Sequence, residues 1–126
     1  MERGRYLTLA AAKMRENLES IAQMDVIDNG KPIWEARMDM ESVISSLEYY
    51  GGVAPAFTGQ HVKMPGGSFA LVSREPFGVV GGVGAWNYPL QTCTWKVAPA
   101  LMCGNTFVYK PSQFTPCTAV ILGEVG

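Results

Sequence analysis

Pro76-Phe77-Gly78-Val79-Val80-Gly81-Gly82-Val83-Gly84, continued by Ala85-Trp86-Asn87-Tyr88-Pro89, is the stretch whose reading decides the fold. From Phe77 to Gly84 the residues are apolar without alternation. That pattern belongs to a strand of a parallel sheet covered on both faces, not to a half-exposed antiparallel one. Asn87-Tyr88-Pro89 then opens a helix with proline in its first turn, where a missing N–H costs nothing. The helix runs over Trp95, Val97, Ala100 and Leu101 to a glycine stop at Gly104. Thr106-Phe107-Val108-Tyr109-Lys110 reads as a second short strand, and Thr115-Pro116 starts a further helix through Ala119, Val120, Ile121 and Leu122. Strand, helix, strand, helix is a βαβ unit, whose parallel strands want neighbours on both sides. The fold class is therefore α/β, with the first βαβα part of a Rossmann-like parallel sheet. Two strands do not complete such a sheet, so the physics points to an incomplete domain, a piece of something larger.

Upstream of this unit the periodicity changes. Leu7, Ala11, Met14, Leu18, Ile21 and Ala22 recur at spacings of three and four, so Glu2 to about Asp28 reads as one long or two abutting amphipathic helices. Asp28-Asn29-Gly30-Lys31-Pro32 ends them with a glycine suited to a left-handed cap and a proline that cannot continue the helix. A second stripe, Ala36, Met40, Val43, Ile44, Leu47 and Tyr50, runs to a predicted stop at Gly51-Gly52. Gln60 to Met64 and Phe69 to Arg74, joined by Pro65-Gly66-Gly67-Ser68, read as a β-hairpin. An isolated hairpin is marginal in water, so this one is expected to pair with another sheet or subunit. The segments divide as 1–57 helical, 58–75 hairpin and 76–126 the start of the sheet.

Composition narrows the function classes. In 126 residues, 48% hydrophobic, ten basic and eleven acidic side chains leave a net charge of −1, without the basic stripe that nucleic acid requires. The longest mostly apolar run, Phe77 to Leu90, is glycine-rich and shorter than the roughly 20 residues of a membrane span. Arg3, Arg5 and the apolar run after them mimic a secretory signal. Helical spacing continues straight through Lys13, Arg15, Glu16 and Glu19, which argues against it. The expected protein is soluble and cytoplasmic. Cys93, Cys103 and Cys117 form no zinc-type cluster and read as reduced core thiols. His61 has no second ligand nearby and reads as a surface or turn residue, so no metal is expected.

Two features carry chemistry. Gly81-Gly82-Val83-Gly84 lies between a parallel strand and a helix, where doubly wound sheets place a nucleotide, but Asn87 stands where the third fingerprint glycine would. Close packing of helix on strand explains those glycines equally well. Lys110 ends the second strand, where it either holds a ribose hydroxyl or phosphate or is a solvated charge.

The runs Glu75-Pro76-Phe77-Gly78-Val79, Gly84-Ala85-Trp86-Asn87-Tyr88-Pro89, Trp95-Lys96, Ala98-Pro99-Ala100-Leu101, Cys103-Gly104-Asn105 and Lys110-Pro111-Ser112 together resemble the aldehyde dehydrogenase superfamily. Asp28-Asn29-Gly30-Lys31-Pro32 and Leu47-Glu48-Tyr49-Tyr50-Gly51-Gly52 extend the likeness over essentially the whole chain. Met64-Pro65-Gly66-Gly67-Ser68-Phe69 and Trp86-Asn87-Tyr88-Pro89 look closest to its trimethylaminobutyraldehyde and betaine-aldehyde branch.

The resemblance implies an NAD(P)-dependent enzyme that oxidises an amino- or trimethylamino-aldehyde to the acid through a cysteine thiohemiacetal, hydride transfer and thioester hydrolysis. It implies that Asn87 holds the oxyanion, a role suited to an amide that donates without titrating. Capping of the following helix is a compatible role for the same side chain. Val83, Gly84, Ala85, Trp86, Lys110, Ser112 and Gln113 fall at cofactor-binding positions. Gln113 stands where many NAD-preferring members have a glutamate, so NAD is favoured by branch resemblance and NADP is not excluded. Tyr88 and Trp95 match aromatic positions of the aldehyde tunnel, with core packing the alternative for Trp95. Lys96 falls near the family's proton path or forms an ion pair. The catalytic cysteine, the general-base glutamate and the pyrophosphate motif are implied to lie beyond Gly126, Met1 reads as internal, and residues 60–74 match strands through which a homotetrameric parent assembles. The alternative is a truncated, non-catalytic isoform with a binding or assembly role.

Overall fold

The computed structural model describes residues 2–125. Helix α1 (Glu2–Glu16) buries Leu7, Ala11 and Met14, spaced by four and three, on one stripe. It gives way at Asn17, whose side-chain amide and backbone N–H both turn back to the Lys13 carbonyl, at 2.9 and 3.2 Å. Of the two arrangements expected, two abutting helices is the one observed. Helix α2 (Leu18–Asn29) ends at Gly30, whose φ of 83° is left-handed and whose N–H donates to the Val26 carbonyl at 2.8 Å.

Helix α3 (Ile33–Val53) buries Ala36, Met40, Val43, Ile44 and Leu47 against α1 and α2. Met40, Val43, Ile44 and Leu47 each contribute about 1.5–3 kcal/mol of burial free energy. The predicted stop at Gly51-Gly52 is not where α3 ends, because the helix continues to Val53 and a short 3-10 turn, Ala54–Ala56. Packing accounts for the difference. A Cβ on Gly51 would stand 2.6 Å from the Thr8 hydroxyl oxygen, and one on Gly4 would collide with the Gly51 carbonyl. Gly51 is there to let α3 lie directly on α1, and the tertiary contact outweighs its poor helix propensity.

The hairpin pairs β1 (Gln60–Lys63) with β2 (Phe69–Val72), antiparallel, from Gln60 opposite Val72 to Lys63 opposite Phe69. All eight strand residues are exposed, and His61 lies edge-on to Phe69. β3 (Val79–Val83) and β4 (Thr106–Lys110) are parallel, in register from Val79 and Thr106 to Val83 and Lys110, with α4 (Pro89–Met102) as the crossover. The Asn105 side chain joins them, accepting from the Gly78 N–H at 3.1 Å and donating to the Ala100 carbonyl at 3.1 Å. Leu90, Ala98 and Met102 of α4 complete the core begun by α1–α3, and α5 (Cys117–Val125) packs against α2 and α4.

Two expectations are corrected here. β3 is not covered on both faces among the described residues, since Val79 is 73% and Val83 70% exposed. Nor are the cysteines all core thiols. Cys93 is buried, Cys103 is half-buried and Cys117 is exposed at the start of α5.

Candidate active site

β3 ends at Val83, and the chain then crosses the C-terminal edge of the parallel pair before α4 begins at Pro89. This edge is where open α/β sheets bind ligands. The Gly84 N–H still donates to the Lys110 carbonyl at 3.0 Å, so Val83, Gly84 and Lys110 share one strand end. Val83, Ala85, Trp86 and Lys110 are all exposed there. Gly84 has a packing role of its own, because a Cβ at this position would collide with the Tyr109 hydroxyl. Beyond β4, the half-buried Ser112 accepts from the Phe114 N–H at 3.2 Å and shapes the turn that exposes Gln113.

Asn87 and Tyr88 line an open cleft of about 230 Å³ with Asn29, Gly30, Lys31, Pro32 and Glu35. Asn87 is exposed, and the helix-capping role is not observed, since Tyr88 occupies the N-cap of α4 and no side chain caps it. The Tyr88 hydroxyl donates to Glu35 at 3.2 Å, and that bond to a carboxylate holds its phenol above the ordinary tyrosine range. The Lys31 ammonium lies 4.7 Å from the centroid of the same ring.

Lys31 is itself buried between Asp39 and Asp25, the latter at 3.2 Å. Burial alone would lower the Lys31 pKa, but the hydrogen bond to Asp39 and the attraction of Asp25 outweigh it and raise the value. Asp25, 1% exposed, keeps one oxygen without a partner, and burial pushes its carboxyl up.

Trp95 lies in the second turn of α4 and is not among the residues that line the Asn87 cleft. It is 53% exposed among the described residues. Lys96 forms no ion pair among the described residues; its ammonium caps the Thr92 carbonyl at 3.1 Å. Cys93 faces an apolar cavity of about 320 Å³ with Leu7, Leu47, Leu101, Tyr109 and Leu122, and burial pushes its thiol up to about 11. The exposed Cys117 thiol is also raised, by its hydrogen bond to Asp28. Neither has the thiolate character of an activated nucleophile.

Glu35, Lys31 and Asn29 escaped the sequence reading. The first two sit on α3 and the turn before it, with the Tyr88–Glu35 bond spanning 53 residues. The one signal available was Asp39, an acid at a buried position of a helix whose other buried positions are apolar or glycine, with the half-buried Glu35 four residues before it.

The chain belongs to the aldehyde dehydrogenase family, whose profile matches residues 1–125. It is 55% identical to 4-trimethylaminobutyraldehyde dehydrogenase B of Danio rerio over 125 residues, covering 99% of this chain and 24% of that protein. To 4-trimethylaminobutyraldehyde dehydrogenase of Homo sapiens it is 53% identical, with 99% and 25% covered. Betaine aldehyde dehydrogenase from Staphylococcus aureus, solved in complex with NAD+, superposes with a TM-score of 0.95 at 34% identity, over 98% of this chain and 25% of that one. The chain thus spans about a quarter of the length of the relatives it matches.

Proposed function

We propose that these residues form one wall of the active site of an aldehyde dehydrogenase that oxidises a cationic amino- or trimethylamino-aldehyde to the carboxylic acid. The observation that carries this reading is the exposed Asn87 beside Tyr88 and Glu35 on one cleft, at the C-terminal edge of the β3–β4 pair.

In this reading a cysteine thiolate outside these 126 residues attacks the aldehyde, and the Asn87 amide donates to the oxyanion of the resulting thiohemiacetal. A donor set at that point stabilises charge that develops only in the transition state. When bound, NAD supplies the hydride acceptor. The donor chemistry of the strand ends suits it, because Lys110 and Gln113 are exposed, charged or amide groups able to bond ribose hydroxyls, while Val83, Ala85 and Trp86 offer apolar surface beside them. Gln113 is neutral and repels a 2′-phosphate less than a glutamate would, so NADP is the second cofactor to test.

The chemistry of the cleft favours a cationic substrate. A trimethylammonium head gains from the Glu35 carboxylate and from aromatic faces within about 6 Å; a neutral aldehyde gains from neither. Lys31 already occupies the vicinity of the Tyr88 ring, so the opposite face and Trp95 are the surfaces left for a ligand. The remainder of the proposal is a cytoplasmic, homotetrameric parent assembled through residues 60–74.

The test is NADH formation by the product of the longer reading frame, with 4-trimethylaminobutyraldehyde as substrate. Asn87→Ala is expected to lower kcat by about 10²–10³, and an unaltered kcat would contradict the role. A second reading, a non-catalytic isoform that assembles with other subunits, draws support from the exposed apolar side chains Val62, Phe69, Leu71 and Val72 of the hairpin. It predicts that the chain alone co-purifies with the longer product and turns nothing over.

A further inference from the structure

The carbonyl of Trp86, the residue directly before Asn87, receives two side-chain hydrogen bonds from distant elements. The Asn29 amide at the end of α2 donates to it at 2.6 Å, and the Thr115 hydroxyl in the β4–α5 loop donates at 3.0 Å. Thr115 is 3% exposed and spends its hydroxyl on this one acceptor, while Asn29 stands on the rim of the Asn87 cleft. The neighbouring Asp28 accepts from the Cys117 backbone N–H at 2.9 Å. The end of α2 therefore grips both loops that leave the C-terminal edge of the sheet. The other ties of the loop from Gly84 to Tyr88 lie at its two ends, the Gly84 N–H to the Lys110 carbonyl at 3.0 Å and the Tyr88 hydroxyl to Glu35 at 3.2 Å; between them Ala85 reaches Thr92 at 3.4 Å and the Asn87 side chain is exposed.

A carbonyl with both lone pairs engaged fixes the plane of its peptide, and the other half of that peptide is the N–H of Asn87. We propose that Asn29 and Thr115 are positioning residues that set the direction of the Asn87 side chain, resting on the reading of Asn87 as the oxyanion donor. They touch no reacting atom. Their effect passes through the Trp86–Asn87 peptide, and a displacement of about 1 Å at a donor is enough to cost up to roughly a hundredfold in rate.

The experiment uses the full-length enzyme with Asn29→Ala, Thr115→Val and Thr115→Ser, each also combined with Asn87→Ala, and reads kcat, KM and the melting temperature. Asn29→Ala and Thr115→Val are expected to lower kcat by roughly ten- to a hundredfold with KM nearly unchanged. Thr115→Ser, which keeps the hydroxyl, restores it. In the Asn87→Ala background neither substitution lowers kcat further, which a merely structural role would not produce, since lost stability acts whether or not Asn87 is present. Unchanged kcat in both single variants, or a loss that persists in full without Asn87, overturns the proposal alone. If Asn87→Ala itself leaves kcat unchanged, the function reading falls first and takes this inference with it.

Discussion

The helical part of the chain buries one full apolar stripe, whereas its strands bury almost none of their apolar side chains. In α1–α3, Met14, Ala22, Ala36, Met40, Val43 and Ile44 are inaccessible to solvent, and α4 closes the same core. In the hairpin and in β3–β4, Phe69, Leu71, Val79, Val83 and Val108 stand in the open. Helices satisfy their backbone within themselves and need only one partner stripe, whereas a strand needs partners on its edges as well as its faces. The site sits on the seam: the loop bearing Asn87 emerges from an uncovered strand and is held by the end of a well-packed helix.

This contrast is open to direct challenge. Lys31→Met should have the largest effect, about 3–5 kcal/mol by urea unfolding, because it leaves Asp25 and Asp39 buried without their cation. Met40→Ala should cost about 2–5 kcal/mol by the same measurement. A loss below 1 kcal/mol in either would mean that the helical core does not carry the fold.

The Lys31 cluster also sets a pH window. Its folded pKa is raised, so its contribution is complete below the unfolded lysine value of about 10.4 and is lost as pH climbs through the higher folded value. Thermal melts should fall through that interval in strongly alkaline solution, above the earlier fall that the raised Cys93 thiol brings, and the part of the wild-type fall absent from Lys31→Met would be assigned to this residue. Thiol labelling at neutral pH should reach the exposed Cys117 well before Cys93, which is buried and shifted to about 11; equal rates would mean that the cavity around Cys93 opens freely. Leu71→Ala, on the exposed hairpin, should change the stability of the isolated chain by no more than about 0.5 kcal/mol.

The same contrast explains what could be read beforehand. The stripe of α1–α3 was legible because burial there follows helical spacing within the chain itself. The course of α3 past Gly51 was not, because propensity signals a stop while the fit of Gly51 on Gly4 and Thr8 is a tertiary fact. The uninterrupted apolar run of β3 predicted its parallel pairing correctly but overstated its burial, since such a run records coverage that the described residues do not supply. At the candidate site, Lys110 was visible from its strand end, while Asn87 and Tyr88 were singled out by the family resemblance. Glu35, Lys31 and Asn29 were hidden, because their relation to Tyr88 and Trp86 crosses more than fifty residues and exists only after α2 and α3 have packed.

The most direct test of the central claim is to read the source transcript past the codon for Gly126 and assay the product it encodes. The account predicts that the frame continues through a cysteine nucleophile and a downstream glutamate, and that the product reduces NAD with a trimethylammonium aldehyde in an Asn87-dependent way. A stop codon directly after Gly126 would contradict it, excluding catalysis and leaving only binding or assembly for this chain.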